Sequence, residues 1–352
     1  MTTTIAPLSR LLEPVTLAGL PLSSHFAMAP MTRKRSPGGV PTADVAAYYR
    51  RRAAGGIGLI ITEGILVDHP SAGHESTVPV LTPGAAEAGW RVVTTSVHAA
   101  GGRIAAQLWH LGSSFEPASE AWTPSRMKGG DFKKIIDAYA RSARTAVNAG
   151  FDAVEIHAAH GYLLDEFLWP LTNPRPLPDR VAFPAEVVRA VRAEIPPSMP
   201  LIVRFSQFKE RDHRARIAET PAELGAILST LAAAGADVLH ASQRRFDEPA
   251  FPETGLPDNV AGWAKRLTGL PTITVGSIGL SRAFLTHPAS AEADPAPAGG
   301  LGRLLDRHAR GEFDVVALGR VLLANPDWVR LAAAGRVDVI RDYRKADEDL
   351  FS

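Results

Sequence analysis

Two histidines and a tyrosine fall within six residues of this chain: His157, His160 and Tyr162. They follow the short apolar run Val154-Glu155-Ile156, at the point where a buried strand would reach the surface. Two imidazoles can hold one oxygen atom, and a phenol beside them can donate a proton. The same two histidines could instead begin a metal pair, with Glu155 or Asp165 nearby. Their i, i+3 spacing across a strand end is not the helical His-Glu-x-x-His zinc pattern, so the metal reading is the weaker one.

Other polar residues interrupt apolar runs in the same way. Arg204 lies between Val203 and Phe205. An arginine in an apolar strand is costly unless it is ion-paired or ligand-bound. Gln107 offers a donor and an acceptor, and Trp109 follows two residues later as a packing residue or a ligand wall. Gly64 would let a ligand approach the backbone. The tripeptide Pro30-Met31-Thr32 carries a hydroxyl and free amides suited to a planar heterocycle, with an ordinary turn as the plainer reading. Gly276-Ser277-Ile278-Gly279 and Leu318-Gly319-Arg320 are glycine-lined ends of the kind that hold phosphate, and Arg320 adds a charged fork.

Positioning these groups requires a scaffold, and the apolar runs supply one. Eight recur along the chain, at 26–30, 57–63, 103–109, 153–157, 201–205, 237–240, 272–276 and 314–319. Most are short, aliphatic and too continuous for half-exposed antiparallel strands, which predicts parallel strands buried on both faces. Helical patterns lie between them at 43–55, 85–100, 131–148, 184–194 and 220–234. Their punctuation fits, as in Thr220-Pro221-Ala222-Glu223 at one start and Gly235 at its end. The rhythm predicts a (β/α)8 barrel, a TIM barrel, forming one α/β domain over 1–352. No Gly-x-Gly-x-x-Gly follows an early strand, as a doubly wound dinucleotide fold would show. A barrel places its chemistry at the C-terminal ends of the strands, where every residue singled out above falls. Two stretches read as loops: the proline-rich 171–180 and the low-complexity 287–302.

Composition removes several classes. The chain of 352 residues has 38 basic and 37 acidic side chains, so nothing favours a nucleic acid or an anionic membrane as partner. It has no cysteine, which excludes a disulfide, a thiol nucleophile and a cysteine-ligated cluster. The N-terminus lacks a signal-peptide pattern and no apolar run reaches ~20 residues, so a cytoplasmic protein is the expectation. A homo-oligomer is compatible with the barrel, although no interface is legible.

Taken in order, these motifs resemble the Old Yellow Enzyme family of flavin-dependent ene-reductases. The matching stretches are Met28-Ala29-Pro30-Met31-Thr32-Arg33, 58–64, Gln107-Leu108-Trp109-His110, 155–163, Arg204-Phe205-Ser206, Val275-Gly276-Ser277 and Ala317-Leu318-Gly319-Arg320. The resemblance runs from about Leu11 to Trp328. It implies a non-covalent FMN, with NAD(P)H as electron donor. Ala29, Pro30, Met31, Thr32, Gly64, Gln107 and Arg204 would contact the ring, and Gly276, Gly319 and Arg320 the phosphate. His157 and His160 would hold the carbonyl or nitro oxygen of an activated alkene, Tyr162 would protonate it, and Trp109 would line the substrate site. The chain departs from the family pattern in two loops, 112–128 and 174–180, which are shorter here. A more open pocket is the expectation, as is the absence of the cluster-bearing domains of larger relatives. A flavin-binding barrel with altered turnover, or a metal-dependent barrel hydrolase or lyase, are the competing readings.

Overall fold

The structure, a computed structural model, describes residues 8–280 and 300–351. Eight parallel strands close into a barrel: β1 (Phe26–Met28), β2 (Leu59–Leu66), β3 (Arg103–Trp109), β4 (Ala153–His160), β5 (Leu201–Lys209), β6 (Val238–Ser242), β7 (Thr272–Val275) and β8 (Val315–Leu318). Each pairs with the next, and β8 closes on β1 through Val316 opposite Phe26. Outside lie α1 (Ala43–Ala54), α2 (Ala85–Ala99), α3 (Gly130–Asn148), α4 (Leu177–Glu194), α5 (Pro221–Ala233), α6 (Val260–Thr268) and α7 (Gly300–Ala309).

Local chemistry sets the helix starts. The Thr42, Thr220 and Asn259 side chains accept backbone N–H bonds from Val45, Glu223 and Gly262, meeting donors that the first helical turn leaves unpaired. The helix expected from residue 184 begins earlier, at Leu177, because Pro178 falls in its first turn and needs no donor there. Pro184 then lies inside α4, at the loss of one helical hydrogen bond. The loop expected at 287–302 falls largely outside the described residues, and Gly300–Gly302 open α7.

Alternation along the strands sorts the barrel interior into layers. At the bottom, Ala105, Ala153, Ile202 and Val238 form an apolar plug with Leu17, Leu20 and Leu22. Those leucines come from a small hairpin, Val15–Leu17 paired with Leu20–Leu22, which the strand rhythm did not disclose. Two residues further along the same strands the interior becomes polar: Gln107, Glu155, Arg204 and His240, all buried. Another two residues on come Trp109, His157, Ser206 and Ser242. The hairpin seals one end from water, and the polar layers rise toward the other.

Candidate active site

The barrel mouth opens into a cavity of about 720 Å³, lined by every residue that the sequence placed at the site. The segment after β1 contributes Ala29, Pro30, Met31 and Thr32; β2 contributes Gly64; β3 contributes Gln107 and Trp109. His157, His160 and Tyr162 come from β4 and the turn beyond it, and Arg204 from β5. Gly276 follows β7, and Gly319 and Arg320 follow β8.

The His157 and His160 rings are 5.4 Å apart and nearly perpendicular. His157 Nδ1 accepts the Ala159 N–H at 3.3 Å, which assigns its proton to Nε2. His160 has φ +67°, a strained backbone for a non-glycine residue. Its N–H is held by Ser206 Oγ at 2.9 Å. Its Nε2 lies 2.8 Å from Ser242 Oγ, which in turn accepts from Arg204 Nη2 at 3.3 Å. With that serine hydroxyl donating to Nε2, His160 carries its proton on Nδ1. Burial, reinforced by the Arg204 charge, pushes both imidazoles well below the usual histidine range. Both are therefore neutral hydrogen-bond donors at physiological pH.

Tyr162 is positioned by the turn that follows. The Gly161 N–H donates to Asp165 Oδ2 at 2.7 Å, and Asp165 is bridged at 2.6 Å to Lys209, with both side chains buried. The Asp165 carboxyl is raised to about 6 by burial, against the opposing pull of Lys209. The Tyr162 ring makes edge contacts with Trp109 and His157, both at 5.0 Å. Its hydroxyl donates to Glu210 Oε2 at 2.9 Å. Burial first, and then the Glu210 charge, raise the phenol above the ordinary tyrosine range.

Below the histidines runs a buried polar chain. Gln107 Nε2 donates to Glu155 Oε1 at 2.7 Å, and Glu155 Oε2 pairs with His240 Nδ1 at 2.7 Å. Glu155 is thus engaged with the barrel interior, and Gln107 keeps its carbonyl oxygen for a ligand. Arg204 is buried with its Nε unpartnered among the described residues. A buried guanidinium with spare donors is costly unless an acceptor occupies the cavity.

Two of the cavity's glycines also make room for the protein itself. A Cβ on Gly64 would lie 2.5 Å from the Trp109 ring, so this glycine makes room for the indole. A Cβ on Gly276 would meet the Gln243 carbonyl at 2.6 Å, so it admits the neighbouring loop. Gly319, by contrast, borders open space: no atom lies within 4 Å of where its Cβ would be. The segment after β1 is held from behind. Glu63, raised to about 7 by burial, accepts the Arg33 and Lys34 N–H groups at 2.8 and 3.2 Å. The Arg33 guanidinium reaches the carbonyls of Glu348 and Leu350.

A profile of the NADH:flavin oxidoreductase / NADH oxidase family matches residues 10–287. A putative 12-oxophytodienoate reductase 2 of Oryza sativa subsp. japonica is 31% identical over 350 residues, covering 91% of this chain and 86% of that protein. The chain belongs to the Old Yellow Enzyme family.

Other Old Yellow Enzyme relatives agree with it. An NADH oxidase of Thermoanaerobacter brockii is 29% identical, with 92% of this chain aligned to 51% of that longer protein. Morphinone reductase, solved in complex with tetrahydroNAD, superposes with a TM-score of 0.74 at 27% identity, covering 96% of this chain and 93% of that one. An old yellow enzyme homologue from Zymomonas mobilis shares the fold, with a TM-score of 0.76 at 23% identity. The protein is an FMN-dependent oxidoreductase that takes electrons from NAD(P)H. The cavity fits that cofactor on its own terms, through the unpartnered Arg204 Nε and the open space at Gly319. No described helix is long and apolar enough to cross a membrane.

Sequence reasoning missed the residues that tune the site. Ser242 and His240 belong to β6, whose end had attracted no attention, and Glu210 lies on the loop after β5. Period-2 alternation was the available signal: His240 and Ser242 share a face, as do Glu155 and His157.

Proposed function

We propose that the protein is an ene-reductase acting on activated alkenes, α,β-unsaturated carbonyl or nitro compounds. FMN would be held by the segment after β1 (Ala29, Pro30, Met31 and Thr32), by Gly64, Gln107 and Arg204, and at its phosphate by Gly276, Gly319 and Arg320, all of which line the cavity. When bound and reduced by NAD(P)H, FMN supplies the hydride that adds to the β carbon of the substrate.

The chain's own residues do the rest. His157 Nε2–H and His160 Nδ1–H converge on the substrate oxygen and stabilise the negative charge that grows there. Being neutral, they polarise the substrate without losing a proton to it. Tyr162 Oη gives its proton to the α carbon, releasing its bond to Glu210 as it does so. Arg204 sets a fixed positive charge beneath, which favours an anionic ring against it. Trp109 fixes the rings of His157 and Tyr162 and closes the wall beside the substrate.

The observation that carries this reading is the convergence of two neutral imidazoles and a protonated phenol in one cavity with a buried guanidinium whose Nε has no partner among the described residues. The test is anaerobic. Purified protein reconstituted with FMN is reduced by NADH or NADPH, then mixed with cyclohexenone. Rapid reoxidation is expected, and phenol should give a long-wavelength band that His157→Ala abolishes. Reduced flavin that cyclohexenone leaves untouched would sink the proposal.

A further inference from the structure

A second cavity of about 400 Å³ adjoins the barrel mouth and shares Phe208, His213, Ser242, Gln243, Arg244 and Arg245 with it. Four guanidinium groups line it, those of Arg214, Arg216, Arg244 and Arg245, against one carboxylate, Glu248. Two of the arginines have work to do. Arg245 pairs with Glu248 at 3.3 Å, and Arg216 Nη1 donates to the Ala250 carbonyl at 3.0 Å. Arg214 and Arg244 form no ion pair among the described residues, and both are exposed.

Like charges gathered around one concavity repel one another, and the low-dielectric walls focus their field on whatever enters. The arrangement is relieved by an anion. Arginine forks match the paired oxygens of a phosphate better than lysine ammonium groups would. The residues assigned to the flavin phosphate, Gly276, Gly319 and Arg320, line the first cavity and not the second. Arg214 and Arg216 line the second cavity alone, while Arg244 and Arg245 line both, so an anion held by Arg214 and Arg244 would lie beside the flavin-phosphate residues and at the edge of the mouth.

We propose that the side cavity binds the 2′-phosphate on the adenosine end of NADPH, and that Arg214 and Arg244 make the protein prefer NADPH to NADH. This rests on the reading that the reductant enters through the barrel mouth. NADPH differs from NADH only in that phosphate, so discrimination must come from groups that contact it. Two exposed arginines at a contiguous cavity, without an ion pair among the described residues, meet the requirement.

The test is anaerobic stopped-flow reduction of the FMN-loaded protein by each nucleotide, with 2′,5′-ADP and 5′-ADP titrated calorimetrically into the same holoenzyme. The second-order rate constant for NADPH should exceed that for NADH by about tenfold or more, a charge-assisted contact's worth. In Arg214→Gln/Arg244→Gln that ratio should fall to near one, and 2′,5′-ADP should lose its advantage over 5′-ADP. A wild-type ratio near one, a ratio unmoved by the substitutions, or equal binding of the two adenosine phosphates would overturn the proposal. So would a loss of FMN affinity in the double variant, which would return these arginines to the flavin. Should neither nucleotide reduce the flavin, the ene-reductase reading fails, while tighter binding of 2′,5′-ADP still supports the subsite and equal binding sinks it.

Discussion

Tyr162→Phe separates the two halves of the proposed reaction. The substitution removes one oxygen and keeps the ring. The edge contacts with Trp109 and His157, each at 5.0 Å, belong to the ring and survive. What is lost to the fold is the hydrogen bond to Glu210, an exposed interaction worth about 1 kcal/mol or less. The variant should therefore fold and take up FMN normally. What is lost to the chemistry is the proton. General-acid loss costs typically ~10²–10⁴-fold, or about 3–5 kcal/mol of barrel-mouth transition-state stabilisation at 1.36 kcal/mol per tenfold.

Neither neighbouring histidine can take over the proton transfer. His157 and His160 lie well below the usual histidine range and hold no transferable acidic proton. Burial and Glu210 raise the Tyr162 phenol, so the wild-type proton is present at neutral pH and well above it. Rapid anaerobic mixing measures both halves. Flavin reduction by NAD(P)H should stay near the wild-type rate, while reoxidation by cyclohexenone should slow at least a hundredfold by the same principle. Reoxidation within about threefold of wild type, or an equal loss in both halves, would refute the assignment of Tyr162 as the acid.

The remaining predictions address its neighbours. Glu210→Gln removes a charge that raises the phenol, so the alkaline decline of the reoxidation rate should move to lower pH, and an unmoved limb counts against the contact. Gly319→Ala meets no atom within 4 Å, so melting of the apoprotein should be unchanged; its methyl enters the phosphate cradle, and FMN affinity should drop about tenfold or more in a fluorescence titration. Glu63, raised to about 7 in the folded protein, binds its proton more tightly than an unfolded carboxyl does. The sign of its contribution is stabilisation at low pH, lost progressively as pH rises from about 4.3 to 7, by up to about 3 kcal/mol. Glu63→Gln should remove that pH dependence, so denaturation midpoints of the two proteins should diverge in the variant's favour above pH 7; parallel curves would rule it out.

The barrel was legible because its signal is redundant. Eight short aliphatic runs alternated with capped helices, and all eight became strands of one sheet. The hairpin at 15–22 was not, because two three-residue strands carry too few side chains to show a period. The start of α4 was misplaced because the prolines of 171–180 read as a loop and Pro184 as a helix start, whereas the chain sets Pro178 in the first turn and Pro184 inside the helix. At the site, reactive side chains were visible by type and by their place at strand ends. Their tautomers and partners were not, since Ser242 and Glu210 reach His160 and Tyr162 only through closure of the barrel. Glycines were half-legible for the same reason: the sequence marks Gly64 as a place of close approach, and only the fold shows the Trp109 ring packed against it.

The choice between the two chemistries open to His157 and His160 turns on a third residue. A pair of imidazoles three residues apart suits an oxygen atom or a metal ion equally well by donor type. Arg204 breaks the symmetry. Its guanidinium is buried, depresses both histidines and touches the serine that holds His160. A fixed positive charge in that position opposes a dication, which would have to be paid for by carboxylates. The neighbouring carboxylates are committed elsewhere, Glu155 to Gln107 and His240, Asp165 to Lys209, and Glu210 to Tyr162. The same charge favours an electron-rich ring and an oxygen that gains negative charge during reaction. In the proposed reaction the histidines supply neutral N–H donors, and the arginine favours an anion in the making over a cation as what they would hold.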